Sequence, residues 1–62
     1  MEPKYKVGDL VHCTAEDSVS IYIIDSIYDN GRAYFYDLRS RGTNDRLDRV
    51  SEIYLEPVEP QS

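Results

Sequence analysis

The run over residues 19–38 constrains the fold of this chain more than any other feature. β-Branched and aromatic residues fill positions 19–28 and return over 32–38, and Asp29-Asn30-Gly31 stands between the two blocks. Such residues suit a pleated, half-buried surface. Asn and Gly accept the positive φ that tight hairpin loops require. The expectation is a central antiparallel hairpin turning at Asn30-Gly31. With that pair as a two-residue turn, Tyr28 falls opposite Ala33 and Ile27 opposite Tyr34. One face then carries Ile21, Ile23, Asp25, Ile27, Tyr34, Tyr36 and Leu38, and the other Tyr22, Ile24, Ser26, Tyr28, Ala33, Phe35 and Asp37. A three-residue loop would gather Asp25, Phe35 and Asp37 on one face, and burying two carboxylates side by side is costly. A bulge around Asp25 and Ser26 would instead turn Ile24 inward with Ile27.

Shorter strands are expected around this hairpin. Residues 5–13 form the first, with Val7, Val11 and Cys13 alternating and a turn or bulge at Gly8-Asp9. Residues 14–18 and 39–45 are polar loops. Residues 46–50 make a fourth strand, Ser51-Glu52 a tight or 3₁₀ turn, and 53–55 a fifth strand before Pro57 and Pro60 stop the ladder. No stretch carries the 3.6-residue apolar period of a helix. The reading is one all-β domain over residues 5–58, with a mobile start at 1–4 and a disordered tail at 59–62.

A chain of 62 residues has little core to spare, and small domains often lean on disulfides, metals or self-association. Cys13 is the single cysteine, which rules out an internal disulfide. His12 and Cys13 cannot fill a tetrahedral zinc site, so neither metal nor cofactor is expected. The lone thiol suits a reducing compartment. Residues 1–11 carry Glu2, Lys4, Lys6 and Asp9 rather than an apolar run, so a soluble, cytoplasmic protein is expected, with no membrane partner. Seven basic and twelve acidic residues give a net charge of −5. The charge is polarised: residues 32–49 hold five arginines against three aspartates, and both flanks are acidic.

Tyr5-Lys6-Val7-Gly8-Asp9-Leu10-Val11, Ile24-Asp25-Ser26-Ile27, Tyr34-Phe35-Tyr36-Asp37-Leu38 and the closing Val50, Leu55, Glu56 and Pro57 together resemble the SH3-like barrel superfamily. That superfamily includes Tudor-type domains and small bacterial and phage-encoded modules. The resemblance implies a small five-stranded, mostly antiparallel SH3-like barrel that binds something, without naming the ligand. Three family functions fit poorly. The Asp-Tyr-Gly-Asn segment of methyl-reading Tudor cages is here Asp37-Leu38-Arg39-Ser40, and an arginine beside a cage repels a cation. Peptide-binding SH3 grooves usually use a tryptophan, which this chain lacks. The Val-Gln-Ile-Tyr strand of the small plasmid-type dihydrofolate reductases is replaced by Val50-Ser51-Glu52-Ile53-Tyr54.

Catalytic residues are not expected. Adjacent strand positions point to opposite faces, so His12 and Cys13 cannot act as base and nucleophile. Asp25 reads as an acceptor for Tyr36 or a backbone group, and Asp37 as the partner of an arginine. Two features remain. Tyr22, Tyr28, Tyr34, Phe35, Tyr36 and Tyr54 exceed what one small interior holds, and tyrosine-rich patches favour protein interfaces. Arg39, Arg41, Arg46 and Arg49 offer contacts to phosphate or carboxylate. The leading expectation is an acidic adaptor or inhibitor, of phage type, that docks on another protein or on a second copy through the Tyr-rich face. No small-molecule substrate is expected. The alternatives are a nucleic-acid-binding barrel using the arginine loop with Tyr34 or Tyr36 as a stacking platform, which the net charge disfavours, and an acidic nucleic-acid mimic. The mimic would present Glu16, Asp17, Asp25, Asp29, Glu52, Glu56 and Glu59.

Overall fold

The computed structural model describes residues 2–16 and 20–58. Asp17 of the acidic loop, Val19 at the expected start of the second strand, Glu59 and the rest of the expected tail lie outside the described residues. Five strands follow one another along the chain: β1 (Leu10–Cys13), β2 (Tyr22–Asp29), β3 (Tyr34–Ser40), β4 (Arg46–Ser51) and β5 (Leu55–Pro57). A 3₁₀ turn, Glu52–Tyr54, joins the last two. All are antiparallel in a single sheet ordered β4-β3-β2-β1-β5. The sheet is open, with β4 and β5 as its edges. No helix among the described residues is long and apolar enough to cross a membrane.

One face of the curved sheet forms the core. Tyr5, Val11, Cys13, Tyr22, Ile24, Tyr34, Tyr36, Leu38 and Leu55 are buried there, and Ile27, Leu47 and Val50 pack against them. Alternate residues of each strand supply this layer, as the pleat requires. Two ladder irregularities set the alternation. In β2, Ile24 pairs with Leu38 and Ser26 with Asp37, which leaves Asp25 as an extra residue. Tyr22, Ile24 and Ile27 thereby share the core face. In β4, Val50 pairs with Tyr36 and Leu47 with Leu38, so Asp48 and Arg49 together oppose Asp37. Arg49 takes a left-handed φ of 52°.

The hairpin turns one residue later than the sequence suggests. The Asn30 amide donates to the Ala33 carbonyl at 3.3 Å, so Gly31 and Arg32 form the two-residue loop. Asp29 lies opposite Tyr34, Tyr28 opposite Phe35 and Ile27 opposite Tyr36, in place of the expected pairing. The cause is local. Only Gly31 needs a positive φ, here 89°, while the Asn30 side chain accepts hydrogen bonds from the Arg32 and Ala33 amides at 2.9 and 2.8 Å. The Asp29 carboxylate accepts from the Gly31 amide at 2.7 Å.

The first strand is also shorter than expected. Gly8 adopts a φ of 96°, and the Lys6 carbonyl accepts from the Asp9 amide at 3.0 Å, which folds residues 6–9 into a turn. Val7 consequently stands 63% exposed rather than in the core, while Tyr5 enters it.

Across the open side, polar side chains tie the ends together. The buried Tyr36 hydroxyl donates to Glu52 Oε2 at 2.6 Å, and the Lys4 amide donates to the same oxygen at 3.1 Å. The Tyr5 hydroxyl donates to the Leu55 carbonyl at 3.1 Å, and the Tyr5 and Tyr36 rings meet edge to face at 5.7 Å. Lys4, at the end of the expected mobile start, is part of this seam. Burial and the hydrogen bond to Glu52 push the Tyr36 hydroxyl up to about 12.

A raised phenol pKa favours the neutral form in the folded protein, so its contribution is complete below the ordinary value of 10 and is lost as pH rises toward 12. In denaturant melts followed by circular dichroism, stability is expected to fall above pH 10. Tyr36→Phe is expected to lower stability at neutral pH by about 1.5–3 kcal/mol, the worth of a hydrogen bond to a charged group. It should also blunt the alkaline loss.

Candidate functional site

The face of the sheet opposite the core carries the chemistry left to explain. Its hairpin end places Tyr28 on β2 opposite Phe35 on β3, and Phe35 opposite Ser51 on β4. Beside them, the β4 bulge swings Arg49 over the Tyr28 ring, with the guanidinium carbon 4.9 Å from the ring centroid. Tyr28, Asp29, Asn30, Phe35 and Arg49 line a shallow groove of about 410 Å³. A second depression of about 460 Å³ lies among Ser20, Ile21, Ser40, Arg41, Gly42 and Thr43. It has a charged residue but no aromatic one.

Asp37 organises the groove from beneath. Its Oδ2 accepts from the Tyr28 hydroxyl at 2.8 Å and its Oδ1 from the Arg49 amide at 2.9 Å. One carboxylate thus fixes both the ring and the bulged backbone that brings the cation onto it. Partial burial opposes ionisation of Asp37, but the Arg49 amide, the Tyr28 hydroxyl and the Arg46 and Arg49 charges outweigh it and hold the carboxyl below its ordinary value. The bond to Asp37 in turn raises the Tyr28 hydroxyl, with the Asp37 charge adding to it. Both shifts preserve the donor and acceptor that the geometry needs.

Residues expected to share one Tyr-rich face are divided by the structure. Tyr22, Tyr34 and Tyr36 are buried in the core. They offer no surface, because the Asp25 bulge brings Tyr22 round to the side of Tyr34 and Tyr36. Tyr28 is exposed and Phe35 half-buried on the outer face. Tyr54 is exposed on the 3₁₀ turn, next to Ile53, which is 81% exposed. The four arginines also separate. Arg46 forms an ion pair with Asp25 at 2.9 Å, and Arg39 is its cross-strand neighbour. The Arg41 backbone amide donates to the Ile21 carbonyl at 3.0 Å. Arg49 alone of the four joins the aromatic pair. Asp25, expected to accept from Tyr36 or a backbone group, accepts from the Arg46 guanidinium at 2.9 Å.

Asp29 and Asn30 as groove walls were not legible beforehand, while Asp37, read from the sequence as the partner of an arginine, meets the Arg49 amide and also the Tyr28 hydroxyl. No glycine or asparagine marks position 49 as left-handed, so nothing in the local sequence announces the bulge that joins Asp37, Tyr28 and Arg49. The alternation of β3 does signal that Phe35 and Asp37 share a face.

Comparisons with known protein families, with curated proteins and with solved structures find no match to this chain. Its function therefore rests on the chemistry of this surface. No group of three His, Cys, Asp or Glu side chains is placed to hold a metal ion among the described residues. His12 Nδ1 donates to the Ser20 carbonyl at 3.0 Å, while Cys13 is buried on the opposite face. The groove offers ring faces, a guanidinium and amide groups.

The left-handed backbone at Arg49 costs about 1–2 kcal/mol for a residue with a Cβ. Arg49→Gly is accordingly expected to be more stable than Arg49→Ala by about 1 kcal/mol, reversing the usual strand order of the two residues. Urea midpoints of the two variants check this.

Proposed function

We propose that the chain is a small protein-binding module, an SH3-like barrel in its wider relationship, that acts as an adaptor or inhibitor by docking a partner at the groove of Tyr28, Phe35 and Arg49. The observation that carries this reading is the cross-strand pair of exposed Tyr28 and half-buried Phe35, with an arginine held on the Tyr28 ring. Tyrosine, phenylalanine and arginine are enriched at the centres of protein interfaces. Five short antiparallel strands in one curved sheet, with a 3₁₀ turn ahead of the last, support the wider relationship.

The alternatives draw less support. Stacking of nucleic-acid bases on Tyr34 or Tyr36 needs rings that are here in the core. The net charge of −5 also opposes a polyanion at long range. For nucleic-acid mimicry, several acidic residues are already committed: Asp25 to Arg46, Asp29 to the hairpin turn and Glu52 to Tyr36. A methylated cation is disfavoured at Tyr28, because a guanidinium already lies over the ring.

Affinity capture with the wild-type protein and with Tyr28→Ala separates these readings. A protein partner lost with Tyr28→Ala, retained with Arg41→Ala and still bound near 0.2 M salt is the expected result, since apolar burial is little screened. Self-association detected by sedimentation and abolished by Tyr28→Ala would make the partner a second copy. Captured material that nuclease releases, or that shrugs off Tyr28→Ala but is lost with Arg39→Ala and Arg41→Ala, would overturn the proposal.

A further inference from the structure

The two edges of the open sheet are finished differently. Tyr54 and Val58 bond to the first strand through the Thr14 amide and the Leu10 carbonyl, so Leu55 and Pro57 on β5 face outward. Their outward groups are largely taken. The Leu55 amide donates to the Glu52 carbonyl, the Leu55 carbonyl accepts from the Tyr5 hydroxyl at 3.1 Å, and Pro57 has no amide to offer. β4 has no such cover. The Ser40 amide donates to the Asp45 carbonyl at 2.9 Å and Leu47 is the partner of Leu38, so Asp45 and Leu47 turn their backbone groups toward β3. By the alternation of an antiparallel ladder, Arg46 and Asp48 turn theirs to the open side.

An edge of unpaired amides and carbonyls invites another strand, and charged side chains and bulges guard such edges. The guard on β4 has a particular order. Arg46, Leu47 and Asp48 are a cation, an apolar residue and an anion, with both charges exposed and Leu47 half-buried at the margin of the core. Set antiparallel against itself about Leu47, this triplet is its own complement. Arg46 of each copy falls opposite Asp48 of the other, and the two leucines meet at the centre. The Arg46–Asp48 positions then exchange the backbone hydrogen bonds, and the leucines form the closer, non-hydrogen-bonded pair. Asp48 makes no ion pair among the described residues. Arg46 bonds to Asp25, but its side chain is 55% exposed, and a surface pair of this kind is weak enough to share its guanidinium with a second carboxylate. The left-handed Arg49 bends the strand immediately afterwards, which confines the match to these three residues.

We propose that two copies of this chain associate edge to edge through β4, antiparallel about Leu47, into one continuous sheet with five strands from each copy. Charge complementarity selects a second copy as the occupant. A strand of uniform charge would set a like charge opposite Arg46 or Asp48, whereas β4 itself brings the matching order. The chain carries a net charge of −5, yet residues 32–49 hold five arginines against three aspartates, so repulsion between copies is weakest on this side. The pairing is short, and the dimer is accordingly weak. A two-fold axis normal to the sheet leaves the Tyr28 grooves of both copies on the same outer face.

Sedimentation equilibrium and amide chemical shifts of the whole chain, both across a concentration series, test the proposal. The expected result is a reversible dimer. The amides of Arg46 and Asp48 should shift and gain exchange protection as concentration rises, while that of Leu55 on the other edge stays unmoved. Asp48→Arg and Arg46→Asp, each alone, set like charges opposite one another and are expected to weaken the dimer by about tenfold or more. An equimolar mixture of the two variants restores opposite charges at both pairs and should dimerise as the wild type does. Circular dichroism verifies that each variant is folded; if Arg46→Asp unfolds for want of its Asp25 contact, Asp48→Arg and the concentration series decide alone. Tyr28→Ala should leave the dimer intact. A monomer at every concentration up to about 1 mM would overturn the proposal. So would a dimer that Asp48→Arg leaves unchanged. A dimer lost with Tyr28→Ala and kept with Asp48→Arg would overturn it in favour of self-docking through the groove.

Discussion

Between Ile24 and Ser26 the ladder of β2 against β3 carries Asp25 as an unmatched residue, and the side-chain alternation of β2 reverses phase there. Every residue of β2 before that point depends on the reversal for its side of the sheet. With uninterrupted alternation, Tyr22 and Ile24 would stand outside with Tyr28, and the core would lose both. The inward positions would then fall to Ile23 and Asp25, and an unpaired carboxylate is costly to bury. The insertion also places the Asp25 carboxylate where it meets Arg46 on β4. One extra residue therefore defines the interior and relieves the like charges of Arg39 and Arg46, which are direct neighbours across β3 and β4.

A second irregularity, on the other side of β3, does for the surface what the first does for the core. Asp48 and Arg49 together face Asp37, and the bend turns the Arg49 side chain back along the sheet onto Tyr28. The Asp37 carboxylate bonds both partners, so the ring, the cation and the bulged backbone form one unit. The same β3 strand holds Tyr36 and Leu38 inward and Phe35 and Asp37 outward. Core and groove are thus two sides of seven residues, and damage to the packing of β3 would reach the site directly.

The period-2 pattern over residues 19–38 made the hairpin and the all-β class legible, because alternation and turn chemistry agree there. The short edges were harder. Tyr5 enters the core from outside any strand, and its burial follows from the Gly8 turn rather than from the alternation that Val7 seemed to continue. The turn itself was misplaced by one residue, since Asn30 uses its side chain as an acceptor instead of adopting a positive φ. Tyr28, Phe35 and Arg49 were each visible as candidates. Their convergence was not, because it depends on a left-handed arginine that no residue type in the segment signals. Tyr34 and Tyr36 keep the face that alternation gives them with Ile27 and Leu38, whereas Tyr22 is brought to it by the Asp25 bulge, since face assignments copied along a strand fail at an inserted residue.

What distinguishes this surface from an ordinary mixed one is that its cation is seated before any ligand arrives. An arginine free to sample solvent would lose side-chain entropy on binding, whereas one docked on Tyr28 has already lost it. Ring-current shifts of the Arg49 side-chain protons in the free protein measure this most directly. The account predicts Hδ and Hε resonances displaced upfield, with cross-relaxation to the Tyr28 ring, both abolished in Tyr28→Leu. Arg49 side-chain resonances at ordinary solvent-exposed positions, unchanged by Tyr28→Leu, would contradict it.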